Sequence, residues 1–391
     1  MKKTCLAVLF LLFAAVGFSQ VTFIKNLENQ NVTEESYDSL TNTVYFMPYA
    51  DSLNTCAVWF NFGLTGYRKD TFLTFTADFQ NRMHIPNFPV YSYDMKSFYT
   101  VEDADFTGLM FHTRFYPARD TVYFMTGLPY TCSDFENFYK AHSGSENLRM
   151  TEYIDTQTER KIHVLTVGNA KYLSPKKKLI WIICRQHAFE SVSNYVTEGM
   201  LRYLFSRDCS RKILRRYVFK IIPIVDVNGV FSGQTGRMSL PVDFNRDWAD
   251  CMRPEIRAIK EKIIETAAEY HYFMFWDIHG TFPGGDRDMN NFSYFSLLGD
   301  PQKTANIHMF WKRFGKFMNY EPSEFKDDNT KNYNGLTADW WNFKTFKELE
   351  FSFTLEMDWG IDKHFQNYTP ETYYEIGESM IKSLIKYRPA R

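Results

Sequence analysis

At one point in this chain an apolar strand runs directly into a helix, and two residues of metal-binding type lie in the turn between them. Residues 180–184 are all apolar, and from Val192 onwards apolar residues recur at helical spacing. The turn contains His187 and Glu190, three residues apart. An imidazole and a carboxylate placed in this way can both contact one zinc ion, which accepts nitrogen and oxygen ligands. The pattern therefore predicts half of a metal site.

The second part of the chain alternates short apolar strands with helical segments. The predicted strands cover 179–184, 217–225, 272–278 and 350–355. The predicted helices lie near 190–205, 254–270, 302–318 and 370–387. Pro254 and Pro370 suit the first position of a helix, where a missing N–H costs nothing. The alternation predicts an α/β domain with a mixed, mostly parallel sheet flanked by helices.

The first part of the chain reads differently, as short strands rich in β-branched and aromatic residues. These predicted strands cover 43–47, 56–62, 71–75, 90–93, 110–116 and 122–125. Turn residues separate them, and several alternate polar with apolar positions, as half-buried strands do. We therefore predict an antiparallel β-sandwich domain at 20–128, followed by the α/β domain at 129–391.

The first nineteen residues have the pattern of a secretory signal peptide. Lys2 and Lys3 precede an apolar run at 5–16, and small residues follow at 17–19. Cleavage near Ser19 would leave an exported protein, periplasmic or secreted. The apolar run is too short to cross a bilayer, and no later stretch is longer, so we expect no membrane span after its removal.

Charge excludes one class of partner. Lys and Arg number 45 against 46 Asp and Glu, and the net charge is −1. No basic run is longer than three residues. A nucleic-acid-binding surface is therefore not expected. The sequence does not indicate an oligomeric state.

Polar residues follow each of the predicted strands of the α/β domain. Arg237 and the segment 243–248 come after the second strand, His279 after the third, and Glu356 at the end of the fourth. In open α/β sheets, sites form at the carboxyl ends of the strands. We therefore expect these side chains to converge with the pair in the first turn.

Taken in order, these motifs resemble those of the zinc metallocarboxypeptidase family, particularly its cytosolic-carboxypeptidase-like branch. That family has HxxE, an NPDG loop, an Arg, a G-x-D-x-N-R-x-W segment, D-x-H and S-F-T-x-E. The matching positions here are 187–190, 226–229, 237, 243–248, 277–279 and 352–356. The order is unbroken over about 130–391, although the gap between the Arg and the N-R pair is one residue short. The branch also has an aromatic-rich β domain in front, so the resemblance implies the zinc carboxypeptidase fold preceded by a β-sandwich.

The resemblance also implies a metal centre with one zinc ion per chain. His187, Glu190 and His279 would be its ligands. Asp243 would orient a ligand histidine, a role that most zinc-bound imidazoles require.

Catalytic and substrate-binding roles follow from the same resemblance. Glu356 would be the general base on zinc-bound water, and Arg237 would stabilise the developing oxyanion. Asn245 and Arg246 would clamp the carboxylate of a substrate C-terminus, since a guanidinium matches a carboxylate. Tyr333 would cap the substrate terminus.

The predicted function is removal of C-terminal residues from peptides or proteins by zinc-dependent hydrolysis. Two alternatives remain at this point. One keeps the chemistry and changes the substrate to cell-wall stem peptides. The other is a non-catalytic binding protein on an inactive peptidase scaffold, against which the intact Glu356 argues.

Overall fold

A computed structural model describes most of the chain. The described residues are 21–49, 58–79, 89–101, 104–107, 110–169, 177–209, 211–281, 292–296, 300–319, 321–325, 336–359 and 369–389. The predicted signal peptide and Tyr333 lie outside them.

Ten strands form the N-terminal part of the chain. They are β1 Thr22–Ile24, β2 Thr33–Asp38, β3 Thr43–Met47, β4 Asn61–Thr65, β5 Leu73–Asp78, β6 Val90–Ser92, β7 Phe98–Thr100, β8 Asp105–Thr107, β9 Met110–Phe115 and β10 Thr121–Met125. Two five-stranded sheets result, in the orders β1-β4-β10-β6-β7 and β2-β3-β5-β9-β8. All of their pairings are antiparallel except β3 with β5.

Aromatic rings fill the space between these two sheets. Phe124 of β10 lies with its ring centroid 4.1 Å from that of Phe75 and 5.3 Å from that of Phe60. Phe46 of β3 contacts Phe62 of β4 at 4.8 Å. These rings are almost completely buried, and buried aromatic side chains dominate core energetics. The predicted antiparallel β-rich region is confirmed.

An eight-stranded mixed sheet forms the rest of the chain. Its strands are β11 Leu148–Asp155, β12 Lys161–Val167, β13 Lys178–Cys184, β14 Tyr217–Ile222, β15 His271–Gly280, β16 Phe292–Ser296, β17 Ser323–Phe325 and β18 Phe351–Met357. They stand in the order β11-β12-β14-β13-β15-β18-β16-β17. The four central strands β14, β13, β15 and β18 are mutually parallel. Their carboxyl ends therefore meet at one edge of the sheet.

Eight helices accompany this sheet in the described part of the chain. They are α1 Cys132–His142, α2 Ser191–Phe205, α3 Arg211–Arg216, α4 Val227–Ser232, α5 Pro254–Glu269, α6 Pro301–Met318, α7 Ala338–Thr345 and α8 Pro370–Ser383. Local signals begin several of them: Thr131 and Asp134 form a capping box at α1, and Asp300 caps α6 ahead of Pro301. Helices α2 and α8 pack together, with the rings of Tyr195 and Tyr373 stacked.

The strong periodic segments were predicted well, and so were the short strands β3, β6, β9 and β10, whereas β1, β2, β7 and β8 were missed. The four predicted strands of the α/β part coincide with β13, β14, β15 and β18, and the four helices with α2, α5, α6 and α8. The predicted strand 56–62 is shifted, because β4 begins at Asn61. Strand β18 extends past the predicted end to Met357, which places Glu356 inside the strand. Together these findings confirm the predicted fold class.

Two further observations bear on the predicted environment of the protein. The four cysteines in the described ranges, Cys132, Cys184, Cys209 and Cys251, are all free thiols. Over those same ranges, no helix combines the length and the apolar character needed to cross a membrane.

Candidate metal centre

The turn between β13 and α2 is held by a buried arginine. Arg185 adopts a positive φ of 61°, unusual for a residue with a side chain, and it is completely buried. Its Nε donates to the carbonyl of Ala188 at 2.8 Å, and its Nη1 donates to Oδ1 of Asn194 on α2 at 2.5 Å. The guanidinium therefore closes the turn that carries the first two predicted ligands.

His187, Glu190 and His279 come together at the carboxyl edge of the sheet. Nδ1 of His187 lies 2.7 Å from Oε1 of Glu190, and Nδ1 of His279 lies 2.9 Å from Oε2 of the same carboxylate. One ligand atom from each residue lies within 4.8 Å of the others, and all three residues are buried. His279 reaches this point because β15 lies beside β13 in parallel.

The chemistry of these atoms fits a metal ion. Oε2 of Glu190 and Nδ1 of His279 are both buried, yet neither makes a hydrogen bond within the described ranges. Buried polar atoms normally have a hydrogen bond, so two ligand-type atoms that face each other at 2.9 Å without one fit a shared cation. Two imidazoles and one carboxylate also form the three-ligand set of catalytic zinc sites.

Neighbouring carboxylates raise the pKa of both candidate histidine ligands. Burial lowers the pKa of His187, but the attraction of Asp243 and Glu190 outweighs it and raises that pKa to about 9. The pKa of His279 is likewise raised, since Asp277 and Glu190 outweigh its burial. Burial raises the pKa of Glu190, whereas His279 and His187 bring it down to about 2. Because a liganding imidazole must be unprotonated, metal binding here displaces protons.

An aspartate lies beside the other ring nitrogen of each candidate histidine ligand. Nε2 of His187 donates to Oδ1 of Asp243 at 3.0 Å, and Nε2 of His279 lies 3.0 Å from Oδ1 of Asp277. These contacts leave Nδ1 of both rings directed at Glu190. An acid in this position fixes the tautomer of a liganding imidazole and its direction.

The aspartate beside His279 was missed as a functional residue in the sequence. Asp277 and His279 are two apart on β15 and therefore share a face, which was an available signal. Gln186 was also missed: its Nε2 donates to Oδ2 of Asp277 at 2.7 Å, and its Oε1 accepts from Trp248 at 2.8 Å. No local pattern identifies that link, because it joins residues far apart in sequence.

Replacing Asp277 by Asn is expected to weaken zinc binding by about 10–100-fold, because the amide keeps the size and loses the charge that favours a protonated Nε2. Competition with a chromogenic chelator measures the dissociation constant. Asp155→Asn is the matched control, since Asp155 is exposed on β11, away from the metal centre. Equal zinc affinity in the Asp277 variant and the wild type would contradict the orienting role.

Glu356 lies beside this candidate metal centre, and Arg237 is near enough for its charge to act on Glu356. On β18, Glu356 pairs in register with His279 on β15, and paired residues point to the same face of a sheet. Burial raises the pKa of Glu356 to about 7, and the charges of His279 and Arg237 act in the opposite direction. A carboxylate with a pKa near neutrality suits a general base. The role itself remains a prediction.

The two residues predicted to clamp the substrate differ in their surroundings. Asn245 is buried, its Oδ1 accepts from the backbone N–H of Ala338 at 2.9 Å, and its Nδ2 lies 3.2 Å from Nε2 of His279. Arg246 is partly exposed, and its Nη1 donates to the carbonyl of Asn245 at 2.7 Å. Asn245 is therefore engaged with the metal centre, and Arg246 is the more accessible of the two. The predicted cap Tyr333 is outside the described residues.

Comparison with known proteins also indicates a zinc carboxypeptidase domain. A family model described as zinc carboxypeptidase matches residues 140–273. Mouse cytosolic carboxypeptidase 6 is 24% identical over 292 residues, covering 69% of this chain and 52% of the relative. Mouse cytosolic carboxypeptidase 3 is 22% identical over 268 residues, covering 64% of this chain and 26% of the relative. The chain thus spans about half the length of mouse cytosolic carboxypeptidase 6 and about a quarter of the length of mouse cytosolic carboxypeptidase 3.

A solved structure shows that the fold is shared over nearly the whole chain. The crystal structure of a metallo-carboxypeptidase from Burkholderia cenocepacia superposes with a TM-score of 0.80 at 23% identity. The match covers 94% of this chain and 98% of that one. It therefore includes the N-terminal β-rich part as well as the eight-stranded sheet.

The comparisons contradict the prediction of an exported protein. The curated mouse and human relatives are named cytosolic carboxypeptidases, which points to a cytosolic rather than an exported protein. The export prediction rested on the charge, the hydrophobicity and the small residues near the cleavage point in residues 1–19, and a buried N-terminal helix can also have the apolar run. No described residue supports it.

The family model, the curated relatives and the shared fold agree with one another. They also agree with a His, Glu and His cluster at the carboxyl edge of the sheet. Residues 140–273 match the zinc carboxypeptidase domain model, the chain as a whole is similar to metallocarboxypeptidases, and a β-rich region lies ahead of the matched domain.

Proposed function

We propose that this protein is a zinc-dependent carboxypeptidase that hydrolyses the C-terminal peptide bond of peptides or proteins. The observation that carries the proposal is the buried cluster of His187, Glu190 and His279, with Glu356 in register beside it. In this proposal, a catalytic domain at 129–391 carries out the chemistry. Residues 20–128 form a separate β-sandwich domain.

His187, Glu190 and His279 hold the zinc ion in this proposal. When bound, zinc polarises the scissile carbonyl and acidifies water. Asp243 and Asp277 keep the two imidazoles turned towards the metal.

Glu356 moves the proton in the proposed reaction. Its carboxylate accepts a proton from the attacking water as the oxygen bonds to the carbonyl carbon, and it then delivers that proton to the leaving amine. The carbon–nitrogen bond breaks. The products are a shortened peptide with a new carboxylate and one free amino acid.

Two arginines supply the positive charges that such a substrate requires. Arg237, whose charge reaches Glu356, faces the carbonyl oxygen as negative charge develops on it. Arg246, partly exposed next to the metal centre, binds the free carboxylate of the substrate through its planar fork. This second contact makes the enzyme selective for chain ends, because an internal peptide bond offers no carboxylate there.

Digestion of a mixed peptide library, read by mass spectrometry, tests the function. The zinc-loaded protein is expected to shorten peptides one residue at a time from the C-terminus, and to leave C-terminally amidated copies of the same peptides intact. The control is His187→Ala, which lacks one ligand. Zinc-loaded wild type that releases no more than this variant would contradict enzymatic activity and favour the non-catalytic binding protein. Equal cleavage of the amidated copies would contradict the role of Arg246.

A further inference from the structure

The segment 226–237 connects the end of β14 to Arg237 and lies directly against the turn that holds the first two ligands. It contains α4, which ends at Gly233 with a φ of 69°. Gly236 has a φ of 80°, and a Cβ atom added there would be 2.4 Å from the backbone nitrogen of Ala188. Glycine is therefore required at this approach. Any shift of the segment would reach both Arg237 and the metal-binding turn.

Thr235 ties this segment to two distant parts of the chain. Its carbonyl accepts from the backbone N–H of Phe189 at 3.0 Å, and Phe189 lies between His187 and Glu190. Its hydroxyl accepts from the backbone N–H of Val58, in the N-terminal region, at 3.3 Å. Thr235 itself is completely buried. One residue thus connects the β-rich region to the metal-binding turn, two positions before Arg237.

Asn29 holds the other side of the same segment. Its backbone N–H donates to the carbonyl of Phe231 at 2.9 Å, and its Nδ2 donates to the carbonyl of Val230 at 2.9 Å. These carbonyls belong to the last turn of α4, and that of Val230 also accepts from the backbone N–H of Gly233 at 3.3 Å. Asn29 is 1% exposed, and its own carbonyl accepts from Trp59 at 3.0 Å. The N-terminal region therefore caps α4 from outside.

We propose that the N-terminal β-rich region is a positioning element for Arg237, acting through Thr235 and Asn29. The inference rests on the proposed function and extends it. Asn29 binds the end of α4, and Thr235 binds Val58 three residues beyond that helix. The β-rich region therefore fixes the backbone position from which the Arg237 side chain extends. Negative charge on the carbonyl oxygen develops during the reaction and is absent from the bound substrate. Misplacing Arg237 therefore lowers kcat and leaves substrate binding nearly intact.

Substitutions at Thr235 separate positioning from simple destabilisation. Thr235→Val removes the hydroxyl that accepts from Val58 and keeps the shape of the side chain. It is expected to reduce kcat about tenfold, because small displacements of catalytic groups lower the rate by this factor or more. KM should stay within about twofold, because ground-state contacts are kept. Zinc content should not change. Thr235→Ser retains the hydroxyl and is expected to restore most of kcat.

Thr76→Val is the control for lost stability. Thr76 is a buried threonine of the same β-rich region, and its hydroxyl bonds to His112 rather than to the segment before Arg237. This variant should lower the melting temperature and leave kcat unchanged when assayed well below melting.

Asn29→Gly tests the second contact, since glycine keeps the positive φ of 66° and removes Nδ2. It should lower kcat in the same way as Thr235→Val.

A double-mutant cycle identifies the group through which Thr235 acts. In an Arg237→Lys background the effect of Thr235→Val should largely disappear, because the positioned group is already altered. Additive effects, or a kcat in Thr235→Val equal to that of the Thr76→Val control, would overturn the inference. Wild type without peptidase activity would instead overturn the proposed function, so the two failures are distinguishable.

Discussion

Glu356→Gln is expected to lower kcat by a factor of about 10²–10⁴, the usual contribution of a general base. Glutamine fills the same space but cannot accept the proton of the attacking water. Zinc content should remain that of the wild type, because Glu356 is not among the three clustered ligand residues. Steady-state hydrolysis of a good library peptide, with metal analysis of the same samples, measures both quantities.

The control for this variant is Glu348→Gln, which replaces an exposed glutamate shortly before β18. Its kcat should equal that of the wild type. Glu350→Gln is a second comparison: this partly buried acid is bonded to Asn306 rather than to the metal centre. If Glu356→Gln retained wild-type kcat, another group would have to be the base, and the in-register pairing with His279 would have no catalytic meaning.

Removal of the metal is expected to abolish hydrolysis and to lower the melting temperature by about 10 °C. A ligand that binds only the folded state adds about 4 kcal/mol at a thousand times its dissociation constant. For large domains, each kcal/mol is worth roughly 2–4 °C. Differential scanning calorimetry before and after chelation, and again after zinc is returned, measures the shift.

His279→Ala should reproduce the chelated protein, with little activity and little response of its melting temperature to added zinc. His308→Ala is the matched control, since His308 is an exposed histidine on α6, and it should respond to zinc as the wild type does. A wild-type melting temperature that is the same with and without zinc would show that the cluster of two histidines and one glutamate does not bind the ion.

Local signals were sufficient to predict the half of the site that lies on strand ends. Strands β13, β15 and β18 are long apolar segments, so their carboxyl ends could be read from the sequence. His187, His279 and Glu356 lie at or next to those ends. Parallel neighbours bring such ends to one edge, and the structure places all three there.

Contacts across large sequence separations could not be predicted in this way. Asn245 stands next to Arg246, and the family resemblance implied a shared role on substrate. In the structure the amide of Asn245 contacts Ala338, 93 positions away, and the ring of His279. The hydrogen bond from Trp248 to Gln186 is equally non-local. Such links depend on how the loops pack, which hydrophobic periodicity does not encode.

The short strands of the N-terminal region were harder to place for a related reason. Strands β1, β7 and β8 have only three residues each, which is too few for alternation to set their limits. Their pairing in the sheets defines them instead.

Under the proposed function, the register between β15 and β18 separates the geometry of hydrolysis from that of substrate selection. One backbone ladder sets the spacing between His279 and Glu356, so substitutions in surface loops cannot easily alter the distance from metal to base. Arg246, which the proposed function assigns to the substrate carboxylate, lies outside this ladder. Under that proposal, a change near Arg246 alters which chain ends are accepted and leaves the spacing between His279 and Glu356 as it is.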